Sequence, residues 1–471
     1  MGTNASNVVS ALGKSRADVA LLAVIGVAIF VTTFDITAII MIMPRVKQEL
    51  ALDIGGFAWL MDSYSLAFTV FLMTAGVLAD RYGRRLGFLI GNIIFLASSL
   101  LCVFAGNESV LLIGRTGQGV GSAFMVCAGL AVLGHRFVDA SERSRAFAWS
   151  GTMAGAAMAV GPAGGGIIAD IMGWHWVFFI NVPICLFITL GALWAVDESS
   201  DPAQRRIDVP GVATLTVFLV SSVWLLLHGP RVGAVEIPVW AALLWVLALG
   251  GMFVLTQRYG KQPLLELKLF SSQAFIGLCV VPVALSVAYW SVLIYLPLFL
   301  QERLGSSLGE TSYLMLAATV PMFVLPMFSA RIARGIETGV FFSVGLIVVA
   351  VGGFVIATGA QLQSLPVSLF GMAVAGAGTA TLNPQMMAKI VGSVQREQAG
   401  AASAISVILR QGGFALGIAL LGGVLRALSA KGPVALSNVS SYAVLFSVAG
   451  IAAVVSAVIV FSLITSQPKG N

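Results

Sequence analysis

The chain has 471 residues, 58% of them hydrophobic and only 10% charged, far below the roughly 25% charged residues of a soluble globular chain. With a mean hydropathy of +0.98, this excludes a soluble domain and describes a polytopic helical membrane protein. The formal charge of +6 does not point to nucleic acid, because the basic residues sit in short loops between apolar runs, where they set topology.

Residues 1–17 are polar, with Lys14 and Arg16, and no small-residue cleavage pattern follows the first apolar run. No removable signal peptide is therefore expected. Apolar runs of spanning length fall at roughly 19–43, 57–79, 86–106, 110–134, 146–171, 175–196, 209–228, 237–256, 274–300, 312–333, 339–359, 366–390, 400–425 and 440–464. About 20 apolar residues, rising 1.5 Å each, cross the ~30 Å hydrocarbon core, so fourteen membrane helices are expected. An even count places both termini on one side. Eighteen of the 26 Lys and Arg lie on the N-terminal side and six on the other, with Arg115 and Arg410 inside runs. That bias makes the N-terminal side cytoplasmic.

The first run carries one carboxylate, Asp35, eight residues from its outer end, roughly 12 Å deep at helical rise. An intramembrane aspartate costs about 2.5–3.5 kcal/mol on insertion scales, so it should face protein or water and reads as a functional group by default. Asp62 in the second run and Arg115 in the fourth lie roughly 8 Å from the same side, and Arg410 in the thirteenth lies roughly 15 Å deep. These charges suit proton coupling by Asp35, with Asp62 a second acid or cation anchor and Arg115 tuning both. The alternative for Asp35 is a static ion pair with Arg115 that fixes packing.

The loop Gly76-Val77-Leu78-Ala79-Asp80-Arg81-Tyr82-Gly83-Arg84-Arg85 follows the second run. Glycines permit a tight turn there, and Asp80 can accept hydrogen bonds from a helix N-terminus or from loop arginines. Such a loop reads as a gating clamp between two halves, or as a plain topogenic basic loop. In the fifth run Gly151, Gly155, Gly161, Gly165 and Gly166 allow close helix approach and Pro162 allows a kink; ordinary small-residue packing is the other reading. Trp59, Tyr64, Tyr289, Trp290 and Tyr295 suit an aromatic substrate cavity together with Asp62 and Arg410, or an interfacial belt.

A faint repeat runs through the chain. Glu142 with Arg143, Gly119, and the loop around Asp80 are echoed by Arg396 with Glu397, Gly378, and the loop around Arg334. The spacing of about 255 suggests duplicated bundles, with a central cavity between them in the manner of transporters. The domains then read as an N-terminal bundle over 1–200, an inserted pair of helices over 201–265, and a C-terminal bundle over 266–471. Cys102, Cys127, Cys185 and Cys279 all lie within apolar runs, without disulfide or metal spacing. His135, His175 and His228 lie at run ends with no ligand pattern. No P-loop is present, so ATP is not the expected energy source; with no His/Asp/Ser cluster or metal-ligand set in the sequence, neither a metal nor another cofactor is expected, nor an enzyme.

At this point the residues carry a resemblance. The loop from Gly76 to Arg85 resembles the signature of the major facilitator superfamily. Phe34-Asp35-Ile36-Thr37 to Pro44, Trp59-Leu60-Met61-Asp62-Ser63-Tyr64, Arg115-Thr116-Gly117-Gln118-Gly119, Gly161-Pro162-Ala163-Gly164-Gly165-Gly166, Ile180-Asn181-Val182-Pro183 and Arg410-Gln411-Gly412-Gly413 are similar to motifs of its fourteen-span drug:proton antiporter family. The resemblance implies an all-α fold of two six-helix bundles plus two inserted helices. It implies a proton-coupled antiporter that exports small amphipathic or cationic compounds, a multidrug efflux pump of the plasma membrane. It further implies alternating access, with partners limited to substrate, protons and lipid, and a monomer. A dedicated exporter of one metabolite shares every motif, and a proton-coupled importer shares the intramembrane acid. The sequence departs from the family at His175, usually arginine, at Ala157, often glycine, and at Arg334, where the first loop has Asp80.

Overall fold

In the computed structural model the described residues are 16–465 except 53, 201–207, 229–230, 233–234, 237–238, 261–262, 264–266, 395–398 and 431–439. Lys14, Arg205, Arg206, Lys261, Arg396, Glu397, Lys431 and Lys469, used above for topology or for the repeat, lie outside them. The apolar runs become helices. These are α1 (Arg16–Glu49), α2 (Ile54–Tyr82), α3 (Arg84–Val103), α4 (Glu108–Arg136), α5 (Ala140–Met172), α6 (His175–Phe179), α7 (Asn181–Ala195) and α8 (Val209–His228). After a two-residue antiparallel hairpin, Arg231–Val232 with Val235–Glu236, come α9 (Val239–Tyr259), α10 (Gln273–Leu285) and α11 (Ser291–Leu304). Then follow α12 (Leu308–Leu314), α13 (Leu316–Val324), α14 (Pro326–Ile332), α15 (Thr338–Leu362), α16 (Leu365–Gly392), α17 (Ala399–Ala430) and α18 (Ser441–Thr465).

Among the described residues ten helices are long and apolar enough to cross a membrane, or twelve if each of two bent pairs counts as one span. Both bends fall in the second long helix of a repeat. α2 turns by 47° around Met73, and the α12–α13 segment turns by 52° into α14, where Pro326 cannot donate to the preceding turn. α10 and α11 run on through a π-helical turn, Ser286–Trp290.

Local chemistry sets the helix ends. The Asn107 side chain accepts from the Val110 amide at the start of α4, and Ser272 does so from Phe275 at the start of α10. Ser307 and Glu310 form a reciprocal capping box on α12. Gly305 ends α11 in the left-handed conformation, φ 68°, which a residue without Cβ adopts freely.

The described chain forms two compact units, 16–52 with 59–200 and 54–58 with 208–465. In the first, α1 lies along α5, α3 along α4, and α7 packs on both α1 and α3. Its core joins Leu21, Ile25, Phe88, Phe95, Met125 and Ile188. In the second, α15 packs on α16 and α18, α13 on α16, and α17 on α10 and the π-turn. The pair α8 and α9 pack on each other, and α8 reaches α17. Asp208 caps α8 through the Gly211 amide at 2.9 Å and accepts from Gln257 of α9 at 3.1 Å.

The two units repeat one packing scheme. A Cβ added at Gly119 of α4 would meet the Tyr64 carbonyl, and one at Gly376 of α16 the Ala318 carbonyl. A Cβ at Gly121 would lie 2.7 Å from the Gly91 carbonyl oxygen; at Gly378 the partner is the Gly345 oxygen at 3.1 Å. The internal equivalence therefore pairs Gly121 with Gly378 and Gly119 with Gly376, a shift of two residues from the Gly119–Gly378 pairing expected from the sequence. Motif letters alone cannot fix that register, because it is set by which carbonyl the neighbouring helix presents.

Candidate functional site

Asp35 and Arg115 come together in the first unit, although α1 and α4 place them eighty positions apart. Both are essentially fully buried, and the Arg115 Nη1 donates to Asp35 Oδ2. The second Asp35 oxygen accepts from Gln118 Nε2 at 3.0 Å and from Asn181 Nδ2 at 2.8 Å. Gln118 also accepts from Arg115 at 2.8 Å and donates to Ser99 at 2.9 Å. The Arg115 guanidinium lies over the Tyr64 ring, 4.6 Å from its centroid. The Tyr64 hydroxyl is hydrogen-bonded to Ser122 and donates to the Thr32 carbonyl at 3.2 Å. Groups of α4 and α7 thus meet the carboxylate of α1, with Tyr64 of α2 and Ser99 of α3 behind them.

Helix spacing explains the convergence. Arg115 and Gln118, at i and i+3, share a face of α4. Gly119 beside them lets the α2 backbone approach at Tyr64. A buried ion pair is costly unless hydrogen bonds satisfy its remaining polar atoms; Gln118 and Asn181 satisfy the Asp35 carboxylate, with Ser99 accepting from both of them, whereas Arg115 Nε has no partner among the described residues. The first two lie in the quoted motifs, and their signal in the sequence was a carboxamide inside an otherwise apolar run.

Asp62 is treated differently. It is fully buried in α2, yet neither carboxylate oxygen has a hydrogen-bond partner among the described residues. Trp59, one turn earlier, is half-buried. A buried carboxylate left unpaired as an anion costs several kcal/mol, and a bound proton or a cationic group removes that cost.

The signature loop is held within the first unit. Arg84 Nε donates to Asp80 at 2.8 Å, and the exposed Arg81 lies over the Tyr82 ring. The N-terminus of α3 is capped by Glu198, a residue absent from the sequence-based site, which accepts from the Arg85 amide at 3.1 Å and the Leu86 amide at 3.2 Å. Arg85 donates to the Leu193 carbonyl at 2.7 Å. Gly83 turns the chain with φ 122°, and a Cβ there would sit 2.6 Å from the Glu198 carboxylate.

On α5, Gly161 and Gly165 face α1. A Cβ at Gly161 would overlap Thr37, and one at Gly165 would lie 2.6 Å from Ala38 Cβ. Pro162 and Gly166 are buried beside them. Gly151 and Gly155 have nothing within 4 Å of such a Cβ. The glycine face therefore presses on the helix that carries Asp35, one turn from the ion pair. The second unit repeats the contact: Gly413 of α17 abuts Val283 and Ser286, and Gly417 abuts Val287 and Ser291.

The remaining aromatic residues divide. Tyr289 donates to the Ala318 carbonyl at 2.8 Å and Tyr295 to the Ile418 carbonyl at 2.7 Å, both from buried positions. Trp290 is half-buried, and its indole N–H has no partner among the described residues. Arg410 is half-buried on α17 and makes no ion pair or hydrogen bond with any described residue. No cluster of His, Cys, Asp or Glu that could hold a metal occurs among the described residues.

Apolar helices enclosing buried charge, in two units of one packing scheme, define a multi-pass membrane protein of transporter type. The sequence model of the Major Facilitator Superfamily matches residues 25–418, and the chain belongs to that family. It is 28% identical over 414 residues to the multidrug resistance protein Stp of Mycobacterium tuberculosis (strain CDC 1551 / Oshkosh), covering 88% of this chain and 77% of that one. It is 29% identical over 424 residues to the multidrug transporter protein MdtP of Bacillus subtilis (strain 168), again covering 88% and 77%. Among solved structures, a POT family transporter in complex with a thioalcohol-conjugated peptide superposes with a TM-score of 0.72. It is 14% identical and covers 95% of this chain and 96% of that one; that likeness concerns the fold alone.

Proposed function

We propose that this protein is a proton-driven antiporter that exports small amphipathic or cationic compounds across the plasma membrane by alternating access. The observation that carries the reading is Asp62, a fully buried carboxylate with both oxygens unpaired among the described residues. One such group can be neutralised by a proton or by a cationic substrate, but not by both at once, and that competition is what antiport requires. The similarity to relatives named as a multidrug resistance protein and a multidrug transporter supports export over uptake.

In this scheme Asp35 and Arg115 form the second element of coupling. Protonating Asp35 removes the attraction that holds α1 to α4, and Tyr64, Gln118 and Asn181 report the change to α2 and α7. The glycines Gly161 and Gly165 keep α5 close enough to α1 to follow it. The loop from Gly76 through Asp80, Arg81, Gly83, Arg84 and Arg85 acts as the cytoplasmic gate. Trp59, Tyr64, Tyr289, Trp290 and Arg410 belong to the substrate path. Fourteen membrane helices, with α8 and α9 as the inserted pair, cytoplasmic termini and a monomer complete the proposal.

The test is ethidium efflux in inverted vesicles, comparing wild type with Asp35→Asn and Asp62→Asn at matched expression. Gradient-dependent transport that is lost in Asp62→Asn supports the scheme. Transport unchanged in both variants overturns the coupling roles, and no transport by wild type removes ethidium-like cations as substrates.

A further inference from the structure

The two oxygens of the Asp35 carboxylate have different neighbours. Oδ2 accepts from Arg115 Nη1, while Oδ1 accepts from two carboxamides, Gln118 Nε2 at 3.0 Å and Asn181 Nδ2 at 2.8 Å. All four side chains are buried. An ionised carboxylate can only accept, so both amides must turn their NH2 ends towards it. Their other ends differ. The Gln118 oxygen accepts from Arg115 Nη1 at 2.8 Å and lies 3.8 Å from Cys102 Sγ. The buried Asn181 oxygen has no partner among the described residues, and an acceptor left in that condition is costly.

A proton that binds Asp35 has one place to go. Oδ2 faces a guanidinium, which stays protonated and cannot accept, so the new O–H forms on Oδ1. There it meets two NH2 groups, and an O–H cannot donate to a donor. One amide must turn its oxygen inwards. For Gln118 the turn would set its NH2 against Arg115 Nη1 and break the bond between them. For Asn181 it uses the oxygen that lacks a partner, and gives up only the Nδ2 contacts with Asp35 and, at 3.4 Å, with Ser99. The torsion that swaps the two ends of an asparagine amide is soft and roughly two-fold. The other titratable groups around the carboxylate are Tyr64 of α2, Cys102 of α3 and Cys185 of α7. None of them hydrogen-bonds to Asp35, and the Tyr64 hydroxyl is engaged by Ser122 and the Thr32 carbonyl.

We infer that Asn181 is the residue that registers the proton on Asp35. Its amide donates to the ionised carboxylate and turns over to accept from the O–H at Oδ1, while Arg115 keeps Gln118 in place. The proton comes from the aqueous phase open to the site and returns to one when Asp35 ionises again. The turn replaces an acceptor by a donor at the far end of the amide, so the change passes from α1 to α7. This rests on the proton-coupling reading of Asp35 above and adds the atom and the residue through which it acts.

The test is infrared difference spectroscopy of the purified full-length protein in nanodiscs, between alkaline and acidic buffer, with carbon-13 in the asparagine side-chain carbonyls. On acidification a carboxylic C=O band that is absent from Asp35→Asn is expected to rise. One asparagine carbonyl band is expected to move to lower frequency with it, because that oxygen gains a hydrogen bond, and this shift should be lost in Asn181→Leu. In the same variant the Asp35 band should move to higher frequency, since its O–H has lost its acceptor. Should Asn181→Leu fail to fold, Asn181→Thr assigns the asparagine band instead; its hydroxyl, able to donate or accept, should keep the Asp35 band near the wild-type frequency. An Asp35 band that rises with no asparagine shift overturns the inference and leaves Asp35 as the coupling acid. So does an asparagine shift that persists when Asn181 is replaced, or an Asp35 band unmoved in Asn181→Leu. An Asp35 band that never rises overturns the inference and the coupling role of Asp35 together.

Discussion

Arg115 in α4 donates to Asp35 in α1 while its guanidinium covers the Tyr64 ring of α2, so one side chain ties three helices at the buried centre of the first unit. Removing one member of a buried pair leaves the other charge uncompensated, typically a loss of about 3–5 kcal/mol. Arg115→Ala is therefore expected to destabilise strongly. The double variant with Asp35→Ala should lose less than the sum of the two single changes. Unfolding of the purified variants in detergent checks this, and additive losses would contradict it.

Asp62 should behave in the opposite way. It forms no hydrogen bond with a described residue, so Asp62→Asn removes a buried charge and breaks no observed contact. Stability is expected to be unchanged or raised by about 1 kcal/mol, while gradient-driven efflux is lost. A marked drop in thermal stability would show that Asp62 is held by a partner and is structural.

The fifth-helix glycines divide by their surroundings. Gly165→Ala puts a methyl 2.6 Å from Ala38 Cβ and 2.7 Å from its Cα, overpacking expected to cost about 1–3 kcal/mol. Gly151→Ala, with nothing within 4 Å, should instead stabilise by about 0.5–1 kcal/mol through helix propensity. Melting curves of the two variants should shift in opposite directions.

Glu198 is expected to matter more to loop order than Asp80. Glu198→Ala frees the Arg85 and Leu86 amides and should cost about 1 kcal/mol as a lost helix cap. The i,i+4 pair of Arg84 with the half-exposed Asp80 is worth no more than about 0.3–0.5 kcal/mol. Hydrogen exchange at residues 84–86 should accelerate in Glu198→Ala and barely change in Asp80→Asn. If Asp80→Asn accelerates it as much, Asp80 is the principal anchor.

The sequence by itself determined the class of protein and its linear plan. Runs of some twenty apolar residues can be satisfied only as helices in a bilayer, and α1, α15 and α18 were legible for that reason. Asn107, Ser307 with Glu310, and Gly305 end their helices through chemistry that acts within four residues, although none of them was read as a helix end from the sequence. The intramembrane charges Asp35, Asp62, Arg115 and Arg410 were visible as breaks in apolar runs. Only the tertiary structure decided what each of them faces. Asp35 meets Arg115, Gln118 and Asn181 across separations of 80 to 146 positions, whereas Asp62, on the same kind of helix, meets no hydrogen-bonding group among the described residues. Glu198 gave no local sign of capping α3, and Tyr64 gave none of lying under a guanidinium. Helix rotation and close approach at Gly119 and Gly165 set these pairings, and both depend on how neighbouring helices fill space rather than on residues nearby in the chain.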